Sequence, residues 1–387
     1  MVAAVVLTAA GCKSHHKEAV DSATMRWLLL RSSQMHAIGT QQFEAGNLDE
    51  AEKTVRNALG VDSANAHLLV LAGRIALEKG RLERAYHLLN QAIAVRADMP
   101  EAQYYKGLVM QRWRKLDDSL SYYQKAYELE ADNVAYLLAV GETLVAMDRT
   151  DEALQLLESK LDYFTQNAAL REAIGKLHSV QRHYVKAADH LDEALLLRPD
   201  DPQIREALAM ARLGAGHFDK AAVELEKLCA DSKVGNRRYL RLTLVKTYQA
   251  AGQLDKARET CFALTRHDAD DVDAWLQLAE LSWDAGDLTA ALTAAGRVCK
   301  LAPERVEGFV LAGMVWQKRG DVRQAVSMFE RAARADQVSA EPAILKGLAL
   351  EKGGRFDAAA KAYREALRRQ PGDEKAMKLL SSVETKL

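Results

Sequence analysis

Nowhere in the 387 residues is there an unbroken apolar run of the roughly eighteen residues that a membrane-crossing helix needs. The four cysteines contain no C-x-x-C pair, so no zinc ribbon is supported. Neither sign of charge is in excess: 53 basic against 54 acidic residues leave a net charge of −1, which argues against a nucleic-acid binder. The sequence has no H-E-x-x-H, no G-x-S-x-G and no phosphate-cradling glycine loop. Its histidines are scattered, and the one adjacent pair, His15-His16, has nothing nearby to complete a coordination set. No catalytic centre, cofactor or metal is therefore expected. Proline is scarce at 6 residues while glycine reaches 22, a balance that suits helices separated by short turns.

The 34-residue step is what the sequence has in place of motifs. Its clearest copy runs from Ala340 to Gly372. Pro342 stands near a helix start, where its missing N–H is not needed. Ile344, Leu345, Leu348 and Ala349 recur at helical spacing, and Gly353-Gly354 ends that helix. Asp357 opens a second helix, whose inner face carries Ala359, Ala360, Tyr363, Ala366 and Leu367 before Pro371 stops it. Further starts fall at Ser32, Ala66, Pro100, Val134, Ala168 and Pro202, and, after two extra residues, at Arg238, Val272 and Val306. The eighth position of each copy is Gly39, Gly73, Gly107, Gly141, Gly175, Ala209, Val245, Ala279, Gly313 and Gly347. The twentieth is alanine throughout, from Ala51 to Ala359, except for Ser119. Val245 alone breaks two columns of small residues, and small residues are what let two helix backbones approach.

This pattern resembles the tetratricopeptide repeat. The resemblance implies an all-α, right-handed α-solenoid of about ten helical hairpins over residues 32–373, closed by a capping helix over 374–387. A lone hairpin cannot bury its apolar face, so the copies must stack. Residues 230–237, beside Val245, are the expected irregularity, with looser packing and a bend. Cys229, Cys261 and Cys299 all fall on second helices and are expected to be small buried thiols.

The first twelve residues differ from the rest. An apolar run of signal-peptide length ends in Ala9-Ala10-Gly11-Cys12, which resembles the bacterial lipoprotein cleavage box and implies a lipid on Cys12. Lys13 in place of an aspartate then favours the outer membrane. The alternative is an apolar N-terminus on a cytoplasmic protein. Residues 13–31 are expected to be a polar tether and a leading turn, in which Trp27, Leu28 and Leu30 cover the end of the stack.

In the family, positions 2, 5, 9, 12 and 13 of the first helices line a groove for a protein or peptide segment. Here that carries over to Arg74, Tyr104, Arg112, Lys176, Tyr239, Lys246 and Trp283, a set that suits a segment held by aromatic anchors. The implied function is a lipid-anchored periplasmic scaffold for assembling a cell-envelope complex, in pilus biogenesis, secretion or polysaccharide export. The other reading is a soluble cytosolic adaptor or co-chaperone.

Overall fold

A computed structural model of the chain describes the backbone of residues 9–387 except 236, and the side chains from residue 23 onward except 25 and 236. The expectations for the segment 1–8 and for the Cys12 side chain lie outside the described residues. The described chain divides into two compact units, residues 1–181 and 182–387.

In the first unit the helices are α1 (Ala9–Glu44), α2 (Leu48–Val61), α3 (Ala66–Glu78), α4 (Leu82–Val95), α5 (Pro100–Arg112), α6 (Leu116–Leu129), α7 (Val134–Ala146), α8 (Thr150–Glu158) and α9 (Ala168–Val180). In the second they are α10 (Tyr184–Leu197), α11 (Pro202–Gly214), α12 (Phe218–Ala230), α13 (Arg238–Ala250), α14 (Leu254–His267), α15 (Val272–Asp284), α16 (Leu288–Leu301), α17 (Val306–Lys318), α18 (Val322–Ala335), α19 (Glu341–Lys352), α20 (Phe356–Arg369) and α21 (Glu374–Glu384). There is no strand among the described residues, and none of the described helices is long and apolar enough to cross a membrane. The molecule is an all-α solenoid of stacked hairpins.

Each hairpin follows from local chemistry. Asn65, Asn167, Asp201 and Asp271 accept the first free N–H groups of α3, α9, α11 and α15. The tight turn between paired helices is closed by a bond that reaches back five residues, as from Arg81 N–H to the Ala76 carbonyl (2.8 Å) and from Asp287 N–H to the Ser282 carbonyl (2.8 Å). It needs one residue at positive φ, supplied by glycine at Gly80 and Gly286. The sequence shows no glycine at this place in repeats three to five, yet the turn persists, with Arg114, Asp148 and Arg182 held at φ of 59°, 58° and 61°. A side chain there costs roughly 1 kcal/mol. Arg114→Gly is accordingly expected to raise the unfolding free energy by about 1 kcal/mol in urea titration, with an unchanged helical spectrum.

The eighth-position column has a structural counterpart sixteen residues on. A methyl group added to Gly107 would lie 2.7 Å from the Tyr123 ring, and one added to Gly313 would lie 2.5 Å from the Phe329 ring. Tyr123 and Phe329 are fully buried against their glycines. The same step matches Val245 with Cys261 and Ala279 with Ala295, all fully buried. In these two repeats the first helix carries more bulk and the second carries less.

Two expectations need correction. Packing beside Val245 is not loose: Val245 and Val234 sit in one core cluster with Leu240 and Leu244. Gly235 is wedged so tightly under the Cys229 and Asp231 carbonyls that it leaves no room for a side chain. At the N-terminal end, α1 is one continuous helix through the stretch expected to be a tether. Trp27 and Leu30 stand 56% and 67% exposed rather than covering an apolar end.

Candidate binding groove

In the first unit, α7 and α9 border a cleft of about 370 Å³. Leu138, Val145, Ala169 and Ala173 supply its apolar walls, while Glu142, Glu172 and Lys176 stand at its edge. These residues occupy repeat positions 2, 5, 6, 9 and 12, so the helical period itself turns them to one face. Lys176 Nζ bonds Glu172 Oε1 at 2.6 Å across one turn of α9. The lysine end is exposed while Glu172 is largely covered, so the lysine is readily redirected.

Other expected groove residues of this unit are partly engaged. The Arg74 guanidinium lies between two rings, 4.7 Å from the Phe43 centroid and 5.0 Å from that of Tyr105. Tyr104 is half-buried in an aromatic cluster, with centroids 5.2 Å from Tyr136 and 5.3 Å from Tyr123. Burial holds the Tyr104 phenol above its ordinary pKa, so it stays neutral. Arg112 is exposed at the end of α5.

In the second unit, Tyr239 is 44% exposed on α13. Its hydroxyl donates to Glu206 Oε1 on α11 at 2.7 Å and accepts from Arg237 Nη1 at 3.3 Å. Lys246 is exposed two turns along the same helix. Trp283 is half-buried against the core, with Lys318 Nζ 4.8 Å from its ring centroid. Nearby Glu280 has a raised pKa, caused first by partial desolvation and then by Asp284 and Glu307. A carboxyl whose folded pKa is raised contributes stability that is full below its ordinary pKa and is lost as pH rises through the folded one. Glu280→Gln is therefore expected to raise the melting temperature at pH 7, and the gain is expected to vanish below about pH 4. A gain that grows on acidification would contradict this.

The thiols take no part in this face. Burial pushes Cys261 up to about 12 and Cys299 up to about 11, and Cys261 Sγ points at the Ala274 carbonyl (3.2 Å). Cys229, Cys261 and Cys299 are free.

Sequence comparison agrees with the architecture. Two tetratricopeptide repeat models match the chain, one over residues 172–232, 242–305 and 312–374, the other over 42–109, together more than half of its length. The chain belongs to the tetratricopeptide repeat family. No curated protein matches its sequence. Solved structures with a similar fold include Pseudomonas aeruginosa PilF, 15% identical, which covers 52% of this chain and 91% of its own with a TM-score of 0.47. A MamA structure is 22% identical, covering 45% and 94% with a TM-score of 0.41. Yeast Tom70 is 12% identical, covering 92% and 95% with a TM-score of 0.37. At these identities and scores the likeness says nothing about partners. Tetratricopeptide repeats are protein-interaction modules and are generally non-catalytic, so the chain has the fold of a protein–protein interaction scaffold.

Proposed function

We propose that this tetratricopeptide repeat protein is a non-catalytic scaffold that holds a partner polypeptide against the first helices of its hairpins. We propose further that a lipid on Cys12 anchors it to the periplasmic side of a bacterial membrane, the outer one by the criterion of Lys13. There it helps to assemble an envelope complex of the pilus, secretion or polysaccharide-export kind. The observation that carries the binding role is the cleft between α7 and α9. Its walls are apolar, its edge bears both signs of charge, and its residues fall at repeat positions that the helical period turns to one face. Arg74, Tyr104, Arg112, Lys176, Tyr239, Lys246 and Trp283 are proposed as contacts on the same helix face. The aromatic residues serve as anchors, because large rings with a polar edge gain most from being covered.

The anchor rests on the apolar run and the small residues before Cys12. Replacing Cys12 by serine is expected to move the protein from the membrane fraction to the soluble one. A wild-type protein that is soluble and keeps residues 1–11 overturns the anchor and leaves the soluble adaptor in its place.

A further inference from the structure

The second unit carries an open cleft on its other face, between the second helices α14 and α16 with α15 as its floor. Its volume is about 600 Å³. The equivalent place in repeats one and two, between α2 and α4 over α3, is closed to about 70 Å³. The repeat frame shows why. Over α3 the space is filled by Arg84 and Leu88 from α4 and by Arg56 and Leu59 from α2. Arg84 is drawn inward by an ion pair with Glu52 (3.1 Å). In the second unit the residues matching Arg84 and Leu88 are Ala290 and Ala294, and Phe262 stands where Arg56 does. The helix α16 thus turns a row of small side chains, Thr289, Ala290, Thr293 and Ala294, toward the cleft.

What lines the opening is not ordinary surface. Phe262 is 51% exposed, and Trp275 and Leu278 complete an apolar floor. Trp275 is fixed in place by its indole N–H, which donates to the Ala269 carbonyl at 2.9 Å. Ser282 also lines the cleft, fully buried, and its hydroxyl has no hydrogen-bond partner among the described residues. A buried hydroxyl left unpaired costs roughly 1–3 kcal/mol and gains when a ligand polar atom reaches it. At the rim stand Asp255, Glu259 and Asp287; of the nearby cations, Arg258 pairs with Asp287 at 3.5 Å, Arg319 donates to the Thr289 hydroxyl at 2.7 Å, and Arg297 lies 6.0 Å from the Trp275 ring centroid. Asp255 and Glu259 have no ion-pair partner among the described residues.

We infer that this cleft is a second docking site, distinct from the first-helix groove, for a peptide segment that inserts a bulky apolar side chain between lysines or arginines. The apolar floor takes the side chain. The two carboxylates without an ion-pair partner, Asp255 and Glu259, select the flanks. The Ser282 hydroxyl is placed to pair with a backbone carbonyl of the inserted residue. An acidic or neutral apolar segment would meet Asp255 and Glu259 unpaired, so charge sets the specificity.

The test uses the full chain and two fluorescein-labelled synthetic peptides. Each carries a leucine-phenylalanine pair, flanked by lysines in one and by glutamates in the other. Fluorescence anisotropy is expected to show saturable binding of the lysine peptide alone. Two variants probe the site. Ala290→Leu narrows the cleft with an apolar side chain at a half-buried position of α16 without adding charge, and an unchanged melting temperature checks that the fold is kept. Glu259→Lys reverses an exposed rim charge. Each is expected to weaken the lysine peptide at least about tenfold, whereas Lys361→Ala, at an exposed position on α20, leaves it unchanged. Equal affinity for the two peptides, no binding of either, or full affinity in the narrowed variant overturns the proposal. So does a sedimentation result in which the wild type is a dimer and the narrowed variant a monomer, because the occupant is then a second copy of this chain.

Discussion

Gly313→Val is expected to destabilise the second unit by about 1–3 kcal/mol, because the added side chain must enter space held by the Phe329 ring. Helix propensity works the other way, since valine is a better helix former than glycine, so the loss is steric. Phe329→Cys alone is expected to cost about 3 kcal/mol or more through the cavity it leaves. Combined, the two changes rebuild the pair found naturally at Val245 and Cys261. The double variant is therefore expected to be more stable than the sum of the single losses predicts by at least about 1 kcal/mol. Urea unfolding of all four proteins checks this. Hydrogen exchange adds a spatial readout: loosening in the single variants is expected to centre on residues 306–339 and to fade through neighbouring hairpins, because each repeat contacts only its neighbours. Additive losses would show that the two positions do not share one space.

Filling the first-helix groove is expected to have the largest effect on binding. Ala173→Arg places a long cation in the cleft between α7 and α9, at a half-buried position on its wall, and is expected to abolish partner capture. Tyr239→Ala and Trp283→Ala are each expected to weaken capture by at least about 1 kcal/mol, the usual threshold for an interface residue that matters. The Tyr239 variant loses only exposed hydrogen bonds, to Glu206 and from Arg237, so it is expected to keep the fold. Trp283 packs on the core, so its melting temperature has to be read beside its binding. A control change on the second helices, Lys361 and Arg364 to alanine, removes only an exposed ion pair from Arg364 to Glu384 and is expected to leave capture intact. Capture lost in the control and kept in the groove variants would put the partner on the second helices.

Much of this architecture is legible in the sequence because a repeat states its constraint many times. One glycine at Gly347 says little; the same residue class at every eighth position says that two backbones meet there. Helix starts and turn glycines are legible for the same reason. What the sequence hides is whatever depends on a partner across the hairpin. Val245 reads as a flaw along its own column and as half of a volume-matched pair once Cys261 is placed beside it. Arg114, Asp148 and Arg182 read as a missing turn signal, although closing the hairpin dictates a left-handed residue there whatever its identity. Among the expected groove residues, charge and aromaticity drew attention to Arg74 and Tyr104, which are largely occupied by Phe43, Tyr105, Tyr123 and Tyr136. The apolar wall residues Leu138, Val145 and Ala173 carry no such mark, because alanine, valine and leucine are everywhere in such a chain. Their signal was position, not type. The cleft over α15 is hidden for a similar reason: Ala290 and Ala294 are conspicuous only beside Arg84 and Leu88.

The central claim, that the first helices hold the partner, is tested most directly by site-specific photo-crosslinking in intact cells. A benzophenone amino acid is placed in turn at Glu142 and Lys246 on first helices and at Lys125 and Lys361 on second helices, all four exposed. One and the same crosslinked partner is expected from Glu142 and Lys246, and none of it from Lys125 or Lys361. That partner appearing from Lys125 and Lys361 while Glu142 and Lys246 stay silent would contradict the account.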